Sequence, residues 1–191
     1  MLSNNLILQT ATILLRPMIS NDFSLFERLT EDKSMWVYFT SDLSIKSELE
    51  NWIDVAVLEN ENGIRMAFTI MEKENLKAIG STSFGNISYR DKRIEIGWTW
   101  ISKDYQGKGI NNQIKYLMLK YGFETLNFER IEFKTDVLNI PARKALLRIG
   151  AKEEGVLRSH TLMTNNRRRD TIYYSVLKSE WDEMKTNNNW L

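Results

Sequence analysis

The sequence predicts an α+β fold in a single domain spanning 1–191, and three features carry that expectation. Apolar residues switch repeatedly between a period of two and a period of 3.6, which gives strands and helices in the order β-α-α-β-β-β-α-β-α-β-β. Cap residues, glycines and prolines fall at the ends of the helical stretches. Between Arg93 and Lys115, one strand passes through a glycine-bearing turn straight into a helix, and the rest of the chain is organised around that stretch.

Taken in order, Thr12–Pro17 reads as a strand stopped by its proline. Ser20 is expected to cap a short helix that aligns Phe23, Phe26 and Leu29. Asp32 to Asp42 is irregular and aromatic, with Trp36, Tyr38 and Phe39 either lining a substrate mouth or packing in the core. Ser44 is expected to cap the next helix, whose buried stripe is Ile45, Leu49, Trp52, Ile53 and Ala56. Three strands follow: Met66 to Met71, Lys77 to Ile87, and one from Arg93 as far as Ser102. Gly80 and Gly85 in the second mark bulges or a close approach. Arg130 to Val137 alternates as a further strand. Asn139 caps a helix with Pro141 in its first turn and Gly150 at its end. Gly155 to Met163 and Thr171 to Leu177 form a hairpin across Asn165-Asn166, Trp181 to Met184 adds a turn of helix, and 186–191 is expected to be a flexible tail.

In the central stretch, Ile94, Ile96, Trp98 and Trp100 alternate with Glu95, Gly97, Thr99 and Ile101, so the first four are expected in the core with Glu95 on the opposite face. The turn is Gln106-Gly107-Lys108-Gly109, and Ile110, Ile114, Leu117, Met118 and Tyr121 then recur at helical spacing to about Glu124. A helix N-terminus reached through glycines is an anion site: its first N–H groups lack backbone acceptors, and Lys108 adds charge. No G-x-x-x-x-G-K-[ST] string exists for a nucleoside triphosphate loop. Gly107-Lys108-Gly109 also lacks the third glycine of a dinucleotide fingerprint.

Gln106 to Asn111 follows the pattern [Q/R]-x-x-G-x-[G/A], with Asn111 in place of the usual small last residue. It resembles the coenzyme A pyrophosphate loop of the GNAT superfamily of acyl-CoA-dependent N-acetyltransferases. Gly109 to Lys115 is similar to the RimJ/RimL-like branch, which acetylates ribosomal-protein N-termini. So are the run NIPARKALLRIGAKEEGVLR from Asn139 to Arg158 and the hairpin from Arg169 to Trp181. The resemblance covers nearly the whole chain. It implies a mixed, mostly antiparallel sheet with helices on both faces and a splayed central strand pair. The co-substrate it implies is acetyl-CoA, with no metal. Its pyrophosphate would lie on Gln106, Gly107, Lys108, Gly109, Ile110 and Asn111; the backbone N–H groups of Trp100 and Ile101 and the side chain of Asn139 would meet the pantetheine and acetyl groups.

Glu95 is the candidate general base. A carboxylate of ordinary pKa, about 4.3, deprotonates an amine through a water rather than directly; the other reading is a solvated strand residue paired with Arg93 or Lys92. His160, the one histidine, either reaches the acceptor groove or is a structural residue. Where the family often has Ser this chain has Ala142, and Leu146 stands where a tyrosine acid is frequent, so the general acid is unassigned. Arg167-Arg168-Arg169 reads as a solvated turn, with contact to RNA as the alternative.

Composition bounds these readings. Lys plus Arg (26) nearly cancels Asp plus Glu (25), so no global field favours nucleic acid or a membrane. Absent cysteine excludes disulfides and a thiol nucleophile, and a single histidine excludes a His-rich zinc site. With no secretory leader and no long apolar run, a soluble cytoplasmic protein is expected. The reading is therefore an acetyl-CoA-dependent N-acetyltransferase working by direct amine attack, with a protein N-terminal α-amine as acceptor and a homodimer left open. The alternatives are a small-molecule amine acceptor (antibiotic, polyamine or amino acid) and a non-catalytic acyl-CoA-binding module.

Overall fold

The computed structural model describes residues 5–190. One eight-stranded sheet runs through it in the order β1-β2-β3-β4-β5-β6-β8-β7. The strands are β1 Leu8–Gln9, β2 Ile13–Pro17, β3 Met66–Glu72, β4 Lys77–Ser88, β5 Arg93–Ile101, β6 Arg130–Asp136, β7 Lys152–Leu162 and β8 Arg168–Leu177. Every neighbouring pair is antiparallel except β5 and β6, which are parallel. The helices are α1 Phe23–Phe26, α2 Lys46–Glu61, α3 Ile110–Lys120, α4 Ile140–Ile149 and α5 Trp181–Asn187.

Two apolar clusters sandwich the sheet. On one face Ile114, Leu117 and Met118 of α3, Leu146 and Ile149 of α4 and Trp181 of α5 pack on Phe68, Ile94, Ile96 and Phe133. On the other, Phe26 of α1 and Leu49, Trp52, Ile53 and Ala56 of α2 pack on Ala67, Met71 and Trp100. Strands covered on both faces lose their alternation, which is why Met66–Met71 is buried throughout.

Several local expectations are corrected. The first cap belongs to Asp22, whose carboxylate accepts the Ile19 N–H and pairs with Arg16, and not to Ser20. Likewise Ile45 occupies the N-cap position of α2, while Ser44 turns its hydroxyl to Asp42 at 2.6 Å; Ile45 itself is exposed. Trp36 is buried and packs edge-on against Phe39 and Trp100, which makes it core rather than a substrate mouth. The expected tail, 186–191, is ordered as far as it is described. Thr186 and Asn187 complete α5, and the Trp190 indole packs on Tyr116 and Trp181; position 191 lies outside the described residues.

The correction that positions the site is a β-bulge in β5. Gly97 pairs with Ser83 and Trp100 with Ser81, so Trp98 and Thr99 together oppose Thr82. Trp98 takes φ 51 to accommodate the extra residue. An inserted residue reverses the parity of every side chain beyond it. Ile94 and Ile96 therefore face α3, whereas Trp98 and Trp100 join the cluster under α1 and α2. The two suspect glycines serve this arrangement. A Cβ on Gly85 would lie 2.6 Å from the Trp98 ring, and one on Gly80 would lie 2.2 Å from the Trp100 carbonyl oxygen.

Candidate functional site

The parallel pair β5–β6 comes apart. Its register holds for Arg93–Arg130, Ile94–Ile131 and Glu95–Glu132, and no later residue of either strand is paired with the other. From Ile96 to Ile101 the β6-side edge of β5 is open over roughly 17 Å, taking about 3.3 Å per residue. The Ser102 N–H donates to Ile79 on β4, so strand alternation turns the Ile101 N–H and C=O toward the gap. Gln106 caps that carbonyl, its amide donating at 2.8 Å. By the same alternation the Trp100 N–H faces β4. Of the two backbones proposed as donors, only Ile101 addresses the opening.

At the C-terminal end of the opening lies the anion loop. After a 3-10 turn at Lys103–Tyr105, Gly107 and Gly109 take φ 75 and 79, left-handed values that glycine alone adopts without strain. No atom lies within 4 Å of where either Cβ would be, so the backbone is open to a ligand. Gln106, Gly107, Lys108 and Gly109 are exposed, Ile110 and Asn111 half-buried, and no side chain caps α3, which leaves its first N–H groups facing outward. Lys108 stands over the Tyr105 ring at 5.3 Å, beside the loop. These features fit a pyrophosphate. Asn139, following β6 at the same end of the gap, caps α4 by accepting the Ala142 N–H at 3.2 Å, so its side-chain oxygen is engaged and its amide N–H groups are free to donate.

At the other end, where pairing resumes, an open cavity of about 680 Å³ lies on the sheet face not covered by α3. Glu95, Glu132, Lys134, His160, Tyr173 and Asn86 line it. Glu95 is only 4% exposed, receives a hydrogen bond from the Asn86 amide, and is ion-paired with Lys134 at 2.8 Å. The reading of Glu95 as a solvated residue paired with Arg93 or Lys92 is thus overturned: Arg93 pairs with Glu132 instead, at 3.6 Å. His160 does reach this cavity. Ser159 sits at φ 53 in an irregular stretch of β7, and the His160 imidazole lies 3.1 Å from the Thr171 hydroxyl and edge-on to Tyr173.

The solvated-turn expectation for the three arginines holds for Arg168, which is exposed, but not for Arg169, which is buried; Arg167 is half-buried. Arg167 pairs with the fully buried Asp136, Arg168 donates to Ser159, and Arg169 is buried with its Nε on the Thr171 hydroxyl at 2.9 Å. Arg168 and Arg169 are used inside the hairpin, and Arg167 ties it to β6.

Sequence reasoning missed one residue of the site. Lys115 of α3 is 5% exposed, and its amine lies 3.4 Å from the Thr99 hydroxyl on β5 and 5.2 Å from the Phe133 ring centre on β6. Burial alone lowers its pKa from 10.5 to about 7. The available signal was its position: one residue after Ile114 and three before Met118, it falls inside the buried stripe, where a lysine is out of place.

A glycine anion loop at a helix N-terminus, an opened parallel strand pair and a carboxylate-floored cavity at its far end define an acyl-carrier-dependent transferase. The chain belongs to the GNAT acetyltransferases: residues 12–152 match the family described as "Acetyltransferase (GNAT) domain". It is 37% identical over 106 residues to the "Putative ribosomal N-acetyltransferase YdaF" of Bacillus subtilis, a match covering 56% of this chain and 57% of that protein. To the "Uncharacterized N-acetyltransferase p20" of Bacillus licheniformis it is 29% identical, over 91% of this chain and 97% of the other. A GCN5-related N-acetyltransferase from Brucella melitensis has the same fold, with a TM-score of 0.90 at 23% identity over 98% of this chain and 86% of that one. The family uses acetyl-CoA. No described helix is long and apolar enough to cross a membrane.

Proposed function

We propose that the protein transfers the acetyl group of acetyl-CoA directly to a primary amine seated in the cavity over Glu95, with a peptide N-terminal α-amine as the preferred acceptor. The observation that carries this reading is the end of β5–β6 pairing at Glu95–Glu132, which places a buried carboxylate where the strand gap meets the acceptor cavity. Acetyl-CoA supplies an activated acyl group. The chain supplies position: the loop from Gln106 to Asn111, the Asn139 amide and the Ile101 N–H at the loop end of the gap hold the carrier along the opened strand. Glu95, fixed by Asn86 and Lys134, orders a water that takes the amine's proton. An α-amine titrates near 7.8 and a lysine amine near 10.4, so at neutral pH the former is about 400 times more available as free base. One weak carboxylate base therefore suits α-amines, and the word "ribosomal" in the name of the Bacillus subtilis relative favours a protein over a small molecule as acceptor.

The test is competition between a peptide with a free N-terminus and its N-blocked, lysine-containing twin, with the acetyl group located by mass spectrometry. Labelling of the α-amine is expected. Labelling confined to lysine overturns the choice of acceptor, and labelling of neither moves the acceptor to a small-molecule amine.

A further inference from the structure

We propose that Lys115 is the proton donor of the reaction: its ammonium, reaching into the β5–β6 gap from the α3 side, protonates the coenzyme A sulfur as the carbon–sulfur bond breaks. The inference rests on the reading of the gap given above and assigns the acid that the sequence left unassigned.

A lysine this deeply buried almost always has a carboxylate partner, because an unpaired ammonium loses its hydration without recompense. Lys115 has none among the described residues. From β5 it meets Thr99, which is itself 2.8 Å from the Thr82 hydroxyl of β4, and from β6 it meets Phe133. Alternation puts Thr135 on that same face of β6, and Asn111 and Leu119 are its neighbours one turn away on α3. The carboxylates of the paired strands, Glu95, Glu132 and Asp136, lie on the opposite face of the sheet. Packing alone does not account for the residue, since a methionine would fill the same stripe without the desolvation cost.

The amine stands between β5 and β6 beyond their last paired residues, near Thr99 on one and Phe133 on the other, along the edge that the strands leave open between the anion loop and Glu95. Its titration near 7 lies below the ordinary thiol value of about 8.5, so proton transfer to a leaving thiolate is downhill and the group is still partly charged at neutral pH. In the balanced step, the acceptor nitrogen bonds the acetyl carbon, the carbon–sulfur bond breaks, and its electron pair goes to sulfur, which takes the proton from Lys115. The amine proton leaves through the water on Glu95, and Lys115 is reprotonated from solvent. No oxidant, reductant or further reactant is required.

The experiment titrates coenzyme A bound to the wild-type protein and to Lys115→Met, following thiolate absorbance in the ultraviolet. An ammonium beside the sulfur should make the thiolate appear about one to two pH units lower in the wild type than in the variant. Turnover provides the second reading. Lys115→Met should lose about 100-fold or more in kcat with KM for acetyl-CoA changed only a few-fold, and should lack the alkaline fall in the wild-type pH–rate profile. Identical thiolate titrations, or a variant profile with the wild-type alkaline limb, would overturn the assignment. A wild type that binds no coenzyme A by calorimetry would instead overturn the reading of the gap.

Discussion

Replacing Lys115 by methionine should make the protein more stable, and by an amount that depends on pH in a defined direction. The folded pKa, about 7, lies below the unfolded 10.5. Between those values the unfolded chain binds more protons than the folded one, so stability rises with pH across that window. Below about 7 both states carry the proton and the burial penalty is present in full; above 10.5 both are neutral and it has vanished. The interval corresponds to about 4–5 kcal/mol at roughly 1.4 kcal/mol per pH unit, an order-of-magnitude figure for a fully buried group. Methionine keeps the buried stem and removes the charge. Its advantage should be several kcal/mol at pH 6.5, or very roughly 10 °C in melting temperature, and should shrink toward zero by about pH 10.5. Urea unfolding of both proteins from pH 6.5 to 10.5 measures the difference, and taking the difference cancels every other titrating group. A variant less stable than the wild type at pH 6.5, or an advantage independent of pH, would refute the reasoning. A substitution that stabilises the fold while costing turnover is the signature of a group retained for chemistry.

Other outcomes follow from the same geometry. Glu95→Gln should lower turnover at neutral pH, with the loss shrinking as pH rises and the acceptor deprotonates without help; equal pH–rate profiles would return Glu95 to a structural role. The same change leaves the Lys134 ammonium, itself a quarter exposed, without its partner, so a loss of about 1–2 kcal/mol should appear in denaturation. Gly109→Trp should abolish acetyl-CoA binding by calorimetry while the protein stays folded, because the new side chain projects into the open space over the loop; unchanged affinity would remove the pyrophosphate from that place. Gly80→Ala should be among the most damaging single substitutions, costing about 3 kcal/mol or more, since its methyl group would meet the Trp100 carbonyl oxygen at 2.2 Å and β4 and β5 would have to part. A melting temperature within 2 °C of wild type, where 1 kcal/mol is worth about 2–4 °C, would show that the strands yield easily.

What the sequence by itself determined is local in origin. The anion loop was legible because positive φ demands glycine at Gly107 and Gly109, and because a helical period begins at once beyond them. The Asn139 cap, the Pro141 first turn and the Gly150 stop of α4 each reflect a need for hydrogen bonds or dihedral freedom within a few residues. The order of strands and helices followed from periodicity, and with the motif resemblance it carried the family. Tertiary structure decided what depends on partners distant in the chain. The bulge at Trp98 exists because β4 offers one residue where β5 has two, and it alone sends Ile96 and Trp100 to opposite faces. Glu95 is buried because Asn86 and Lys134 close over it, and Arg169 is buried on β8, which pairs with the distant strand β6; strand alternation within either segment contains neither fact. Lys115 is the clearest case. Its charge was visible in the sequence, but only the separation of β5 from β6 leaves a gap for the amine to enter, and only burial beneath the packed helix lowers its pKa, with no carboxylate among the described residues to offset it.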